Sequence, residues 1–76
     1  MLDAKIVGLV LRRFREEQGK SQDLISGLAG IGRSHLSAIE RGERKPTLET
    51  FYKVSEALGI KASVILAAIE REMEKA

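Results

Sequence analysis

Glycines and helix-cap residues cut this chain into short helical pieces, and that punctuation limits its fold more than any other feature. Between the breaks, apolar residues recur at three- and four-residue spacing. No useful length alternates with the period of two that a strand requires. The first periodic stretch, Asp3 to Gln18, places Val7, Val10, Leu11 and Phe14 on one face, with Asp3 suited to the N-cap and Gly19-Lys20 ending it. Ser21 caps a second piece, Gln22 to Ala29, whose Asp23 falls in the first turn, where the helix dipole favours negative charge. Gly30-Ile31-Gly32 forms a turn, and a third helix runs from Arg33 to Arg41 before Gly42 stops it. After the loop Arg44-Lys45-Pro46, Thr47 caps Leu48 to Leu58, which carries Leu48, Phe51, Val54, Ser55 and Leu58 on one side. Gly59 closes that helix, and a fifth extends from about Ala62 towards Lys75. The pattern predicts an all-α fold of five short helices, one domain over 1–76.

Size and composition narrow the chemistry. A chain of 76 residues supports one core and hides only about 60% of its unfolded surface. It has no cysteine for disulfides or thiolate ligands, and one histidine cannot build a metal cluster. No nucleophile–base set can be assembled, so an enzyme is not expected, nor a cofactor or small-molecule ligand. The apolar run Ile6–Leu11 is too short to span a bilayer, and Arg12-Arg13 follow it where a signal peptide's basic residues would precede it. These features lead us to expect a cytoplasmic protein with no membrane partner. Net charge is +2, but residues 1–45 hold nine Lys/Arg against six Asp/Glu, and residues 46–76 hold four against five. A basic face in the first half is compatible with nucleic acid and does not by itself require it.

The third helix is the unusual piece. On a helical wheel Leu36 and Ile39 point one way with Glu40 beside them. Ser34, Ser37, Ala38 and Arg41 point the other way, and Arg33 and His35 stand on the flanks. A solvated face usually carries Lys and Glu; here the side chains are small, with a long Arg in the first turn. Small residues allow another surface to approach closely, and Arg and Ser donate to base edges and phosphates. The competing reading is a short surface helix that happens to be poor in charge.

Two short helices joined by a glycine turn form a helix-turn-helix, over about 21–41. From "LRRFREEQGKSQDLISGLAG" through "IGRSHLSAIERGERKPTLETFYKVSEALGI" the chain resembles the Cro/C1-type (XRE) helix-turn-helix family. The stretch "RSHLSAIERGERKPTLET" is similar to small controller proteins of restriction–modification systems and related repressors. The resemblance implies a compact five-helix, lambda-repressor-like DNA-binding domain and a sequence-specific transcriptional regulator of double-stranded DNA. It implies base contacts in the major groove from Arg33, Ser34, Ser37 and Ala38. Gln22 at the start of the second helix, together with Arg41, Arg44 and Lys45, would hold phosphates. His35, where controller-like relatives often have an aromatic, would make a phosphate or base contact; the alternative is a neutral ring packed beside the turn. The family also pairs an Arg near the end of the first helix with the Glu that closes the third, implying a partly buried structural pair between Arg15 and Glu40.

The chain departs from the family pattern in places. Gly32 stands where a side-chain N-cap is usual, and Ser26 replaces an inward Ala, so its hydroxyl requires a partner such as a carbonyl one turn back. Leu24 and Leu28 lie along one side of the second helix, either as local packing or as a contact for a protein partner. The fifth helix (about 62–75) carries one stripe of Ala62, Ile65, Leu66, Ile69 and Met73 and a second of Val64, Ala67 and Ala68. That surplus leads us to expect a homodimer joined through Ile65, Ala68, Ile69 and Met73. The competing functional class is a protein–protein module on the same fold, antitoxin-like or polymerase-binding, acting through Leu24, Leu28 and the tail.

Overall fold

The computed structural model describes residues 1–76 and contains helices α1 (Ala4–Glu17), α2 (Gln22–Ala29), α3 (Arg33–Glu40), α4 (Leu48–Leu58) and α5 (Ala62–Lys75). The all-α five-helix expectation holds, and the helix boundaries fall within a residue of those read from the punctuation. Asp3 accepts from the Lys5 and Ile6 amides, Ser21 from Leu24 and Thr47 from Thr50, so three of the five N-termini have the side-chain caps their sequences foretell. Gly32 offers no such cap to α3. Gly30, at φ 71°, takes the left-handed conformation that ends α2 and lets the chain turn into α3.

Val7, Val10 and Leu11 of α1, Ile25 and Ala29 of α2, Leu36 and Ile39 of α3, Phe51, Val54 and Leu58 of α4, and Ile65, Ala68 and Ile69 of α5 form one buried core. Two hydroxyls are buried among these apolar side chains, and each finds a carbonyl in its own helix. Ser55 donates to Phe51 O at 2.8 Å, and Ser26 to Asp23 O at 3.2 Å, the one-turn-back partner its position demands. Across the bundle, Arg13 of α1 reaches Glu72 of α5 at 3.1 Å, and the Gln18 amide donates to Leu58 O at 2.8 Å.

Two apolar assignments are corrected by the packing. Ile65, Ala68 and Ile69 are 0%, 4% and 1% exposed, so they close the core of a single chain and present nothing to a second one. Met73 also packs against that core, partly buried. Ile65 and Ile69 of the first stripe and Ala68 of the second enter the core from a helix that touches both α1 and α4, while Ala67 is half-buried and Val64 is 49% exposed. Leu48, on the same face of α4 as Phe51, Val54 and Leu58 by spacing, is 84% exposed in the first turn while those three are buried. Leu66 is exposed as well.

Gly8 has a role its sequence context did not reveal. A Cβ there would collide with the backbone carbonyl oxygens of Ile39 and Glu40, so its bare backbone lets α1 press against the end of α3. This contact fixes the position of α3.

Candidate nucleic-acid interface

The C-terminal end of α3 is anchored from below by a polar network. Arg15 Nε donates to Glu40 Oε2 at 2.7 Å and its terminal nitrogen to Oε1 at 2.8 Å, a two-pronged pair. The third guanidinium nitrogen donates to Lys20 O at 2.8 Å, tying down the loop before α2. The side chains are 11% and 3% exposed, and bonding to Glu40 raises the pKa of Arg15 against the opposing effect of burial. The structural pair expected between Arg15 and Glu40 is therefore present.

Gln22 joins the same network: its amide donates to Glu40 Oε1 at 2.9 Å. The side chain thus spans from the start of α2 to the end of α3. An amide nitrogen has two hydrogens, so one remains for an outside acceptor, beside α2 backbone N–H groups that have no intrahelical partner. The Glu40 contact was not foreseen; it links residues eighteen apart, and no local spacing encodes it.

Above this anchor, Gln22, Arg33, Ser34 and Ser37 line one shallow depression with no hydrophobic side chain in it. Three of the four expected base-reading residues of α3 are thus brought together with the expected phosphate ligand of α2. Arg33 and Ser34 are exposed; Ser37 and Ala38 are half-buried. An eight-residue helix is about 12 Å long, close to the width of a B-DNA major groove. His35 is half-buried on the flank.

The flanking cations are less uniform. Arg41 lies at the C-cap of α3, where it donates to Ser37 Oγ and pairs with Glu43, Nε to Oε2 at 2.9 Å. That bond and the attraction behind it raise the pKa of Arg41 and hold Glu43 below the usual carboxylate range. Arg44 is exposed in the loop. Lys45 stands apart from the depression: its ammonium donates to Leu2 O at 3.3 Å, at the rim of an apolar cleft lined by Leu2, Pro46, Leu48, Phe51 and Leu66. Leu24 and Leu28 are 46% and 62% exposed, so neither belongs to the buried core.

Sequence reasoning missed one further residue. Arg33 Nε lies 3.2 Å from Asp23 Oδ1, an ion pair across the turn between α2 and α3. Asp23 stood out only as a first-turn acid; its spacing from Arg33 becomes meaningful once the helices cross.

A buried core, two helices joined by a left-handed glycine, and a small polar face on the second helix together define a helix-turn-helix DNA-binding domain. The helix-turn-helix family model matches residues 11–65, and the chain belongs to this XRE-type family of DNA-binding transcriptional regulators. It is 39% identical over 56 residues to the HTH-type transcriptional regulator y4dJ of Sinorhizobium fredii, covering 74% of this chain and 73% of that one. To the transcriptional regulator ClgR of Mycobacterium tuberculosis it is 37% identical, covering 82% of this chain and 55% of ClgR, so it spans about half of that relative. Among solved structures, the restriction–modification controller protein C.AhdI from Aeromonas hydrophila superposes with a TM-score of 0.80 at 33% identity, over 83% of this chain and 96% of that one. The clp gene regulator ClgR of Corynebacterium glutamicum superposes with a TM-score of 0.88 at 26% identity, over 96% and 95%. These relatives are regulators rather than enzymes. No helix of the chain is long and apolar enough to cross a membrane.

Proposed function

We propose that the chain binds an inverted-repeat operator as a homodimer, with α3 of each copy in a major groove. The observation that carries this reading is the depression formed by Gln22, Arg33, Ser34 and Ser37, where the amide of one helix adjoins the small polar side of the next, which supports a phosphate contact beside base contacts. Arg33 in the first turn of α3 suits a bidentate pair with guanine O6 and N7; Ser34, Ser37 and Ala38 admit the groove floor at close range. Gln22, His35, Arg41 and Arg44 hold the backbone on either side. The two arginines differ in readiness, since Arg41 must exchange Glu43 for a phosphate while Arg44 is exposed. Lys45 reaches a phosphate only by leaving Leu2.

One α3 reads about four or five base pairs, too few to single out a genomic site, and the interface of one such module is small. A two-fold dimer places two copies in successive grooves about 34 Å apart. With Ile65, Ala68 and Ile69 committed to the core, the self-association surface shifts to Leu2, Leu48 and Leu66, which border one cleft between α4, α5 and the N-terminus.

Spacing and salt test the proposal together. A duplex with two half-sites one turn apart binds tightly, with affinity falling steeply as salt rises, in line with about six to eight neutralised phosphates. Inserting five base pairs between half-sites rotates one to the far side and abolishes tight binding. Affinity insensitive to salt, or indifferent to the insertion, would instead favour a protein-binding module acting through the exposed Leu24 and Leu28.

A further inference from the structure

We propose that Asp23 is a specificity-determining residue of the DNA interface: it aims Arg33 and lowers affinity for DNA of the wrong sequence. The inference rests on the reading of Arg33 as a base reader. The ion pair of 3.2 Å joins Asp23 Oδ1 to Nε of Arg33, on the inner side of the guanidinium. The terminal nitrogens are left to an outside acceptor, and they are the pair that can meet guanine O6 and N7 end-on. An unrestrained arginine on the first turn of α3 samples many rotamers and reaches phosphates as readily as bases. An exposed ion pair at Nε biases that sampling before binding without fixing it, so the preference leans toward one base pair.

Charge supplies the second half. Asp23 occupies the first turn of α2, next to Gln22 and the N–H groups that face a phosphate. Its side chain is 76% exposed, so it contributes little to packing. A carboxylate in that place opposes every approaching phosphate and cancels part of Arg33's attraction for the backbone. A correct base compensates by engaging the aimed guanidinium; a wrong one does not. Discrimination that rests on a built-in repulsion as well as an attraction is a general route to specificity.

The test measures binding of the full chain to a selected duplex and to its single-base-pair variants, using wild type, Arg33→Ala, Asp23→Ala and Asp23→Asn. Arg33→Ala identifies the base pair that Arg33 reads. At that pair Asp23→Ala is expected to lose about two- to fivefold of the preference, while binding random duplex severalfold more tightly. Asp23→Asn keeps an oxygen at the same distance without the charge, so it retains more of the preference than alanine but binds random duplex as tightly as alanine does. A lost helix contact alone would weaken all duplexes in parallel and would not move one base pair. If Arg33→Ala relaxes a base pair and Asp23→Ala leaves it at the wild-type preference, Asp23 has no such role. If Arg33→Ala relaxes none, the base-reading role falls, and the inference with it.

Discussion

Replacing Glu40 by alanine removes the buried carboxylate at the end of α3, and its cost can be worked from the geometry. Glu40 accepts from Arg15 twice, at 2.7 and 2.8 Å, and from Gln22 at 2.9 Å, at 3% exposure. In the variant Arg15 keeps its bond to Lys20 O, but two faces of an always-charged group are left facing protein with little access to water. Breaking a buried pair by deleting one member costs about 3–5 kcal/mol. A domain of 76 residues has about 4–11 kcal/mol in total, so the loss consumes a large share of it. At about 4–8 °C per kcal/mol, the melting temperature should fall by about 12–40 °C. Thermal circular dichroism reads this directly, with Glu43→Ala as the exposed comparison, expected to change little. Arg15→Ala should cost a similar amount, and the double variant less than the sum of the two, because neither charge is then stranded. A Glu40→Ala melt within about 3 °C of wild type, or strict additivity in the double variant, would refute the role of this pair in holding α3.

Gly8→Ala should destabilise by about 3 kcal/mol or more, since the new methyl meets backbone oxygens that cannot rotate away; a wild-type melt would contradict the α1–α3 approach. Leu48→Glu and Leu66→Glu should fold and sediment as monomers, whereas Ile69→Glu should unfold the chain by burying a charge; the reverse pattern would restore Ile69 to the interface. Because Arg41 holds Glu43 low, their pairing is in place above the ordinary glutamate pKa and is lost as pH falls through the depressed one. Carboxyl NMR titration should therefore place Glu43 below the ordinary glutamate value, and Arg41→Ala should return it upward; a midpoint unmoved by that substitution would exclude the pair.

Elements of this fold are readable in the sequence to the extent that their causes are local. Asp3, Ser21 and Thr47 cap the helix that follows them, and Gly30 and Gly59 end the helix before, all by interactions a few residues long. The family resemblance added Arg15 and Glu40, twenty-five residues apart, which periodicity alone does not pair. Features that depend on how helices cross were hidden. Gly8 looks like an interruption in an apolar run until the end of α3 lies against it. Asp23 looks like a dipole complement until Arg33 comes beside it. The fifth helix shows the limit in the other direction: its two apolar stripes read as surplus, but the sequence does not reveal that Ile65, Ala68 and Ile69 are taken into the core while Val64 and Leu66 stay exposed. Spacing likewise groups Leu48 with Phe51, Val54 and Leu58, although only the last three are buried, since a wheel assigns a face but not its cover.

The most direct measurement is selection of bound sequences from a pool of random duplex DNA by the purified chain. The expected pool contains two copies of an element of about four or five base pairs, in inverted orientation, with centres about one helical turn apart. A pool without enrichment, or one enriched for a single unsymmetrical element, would contradict recognition by paired α3 helices.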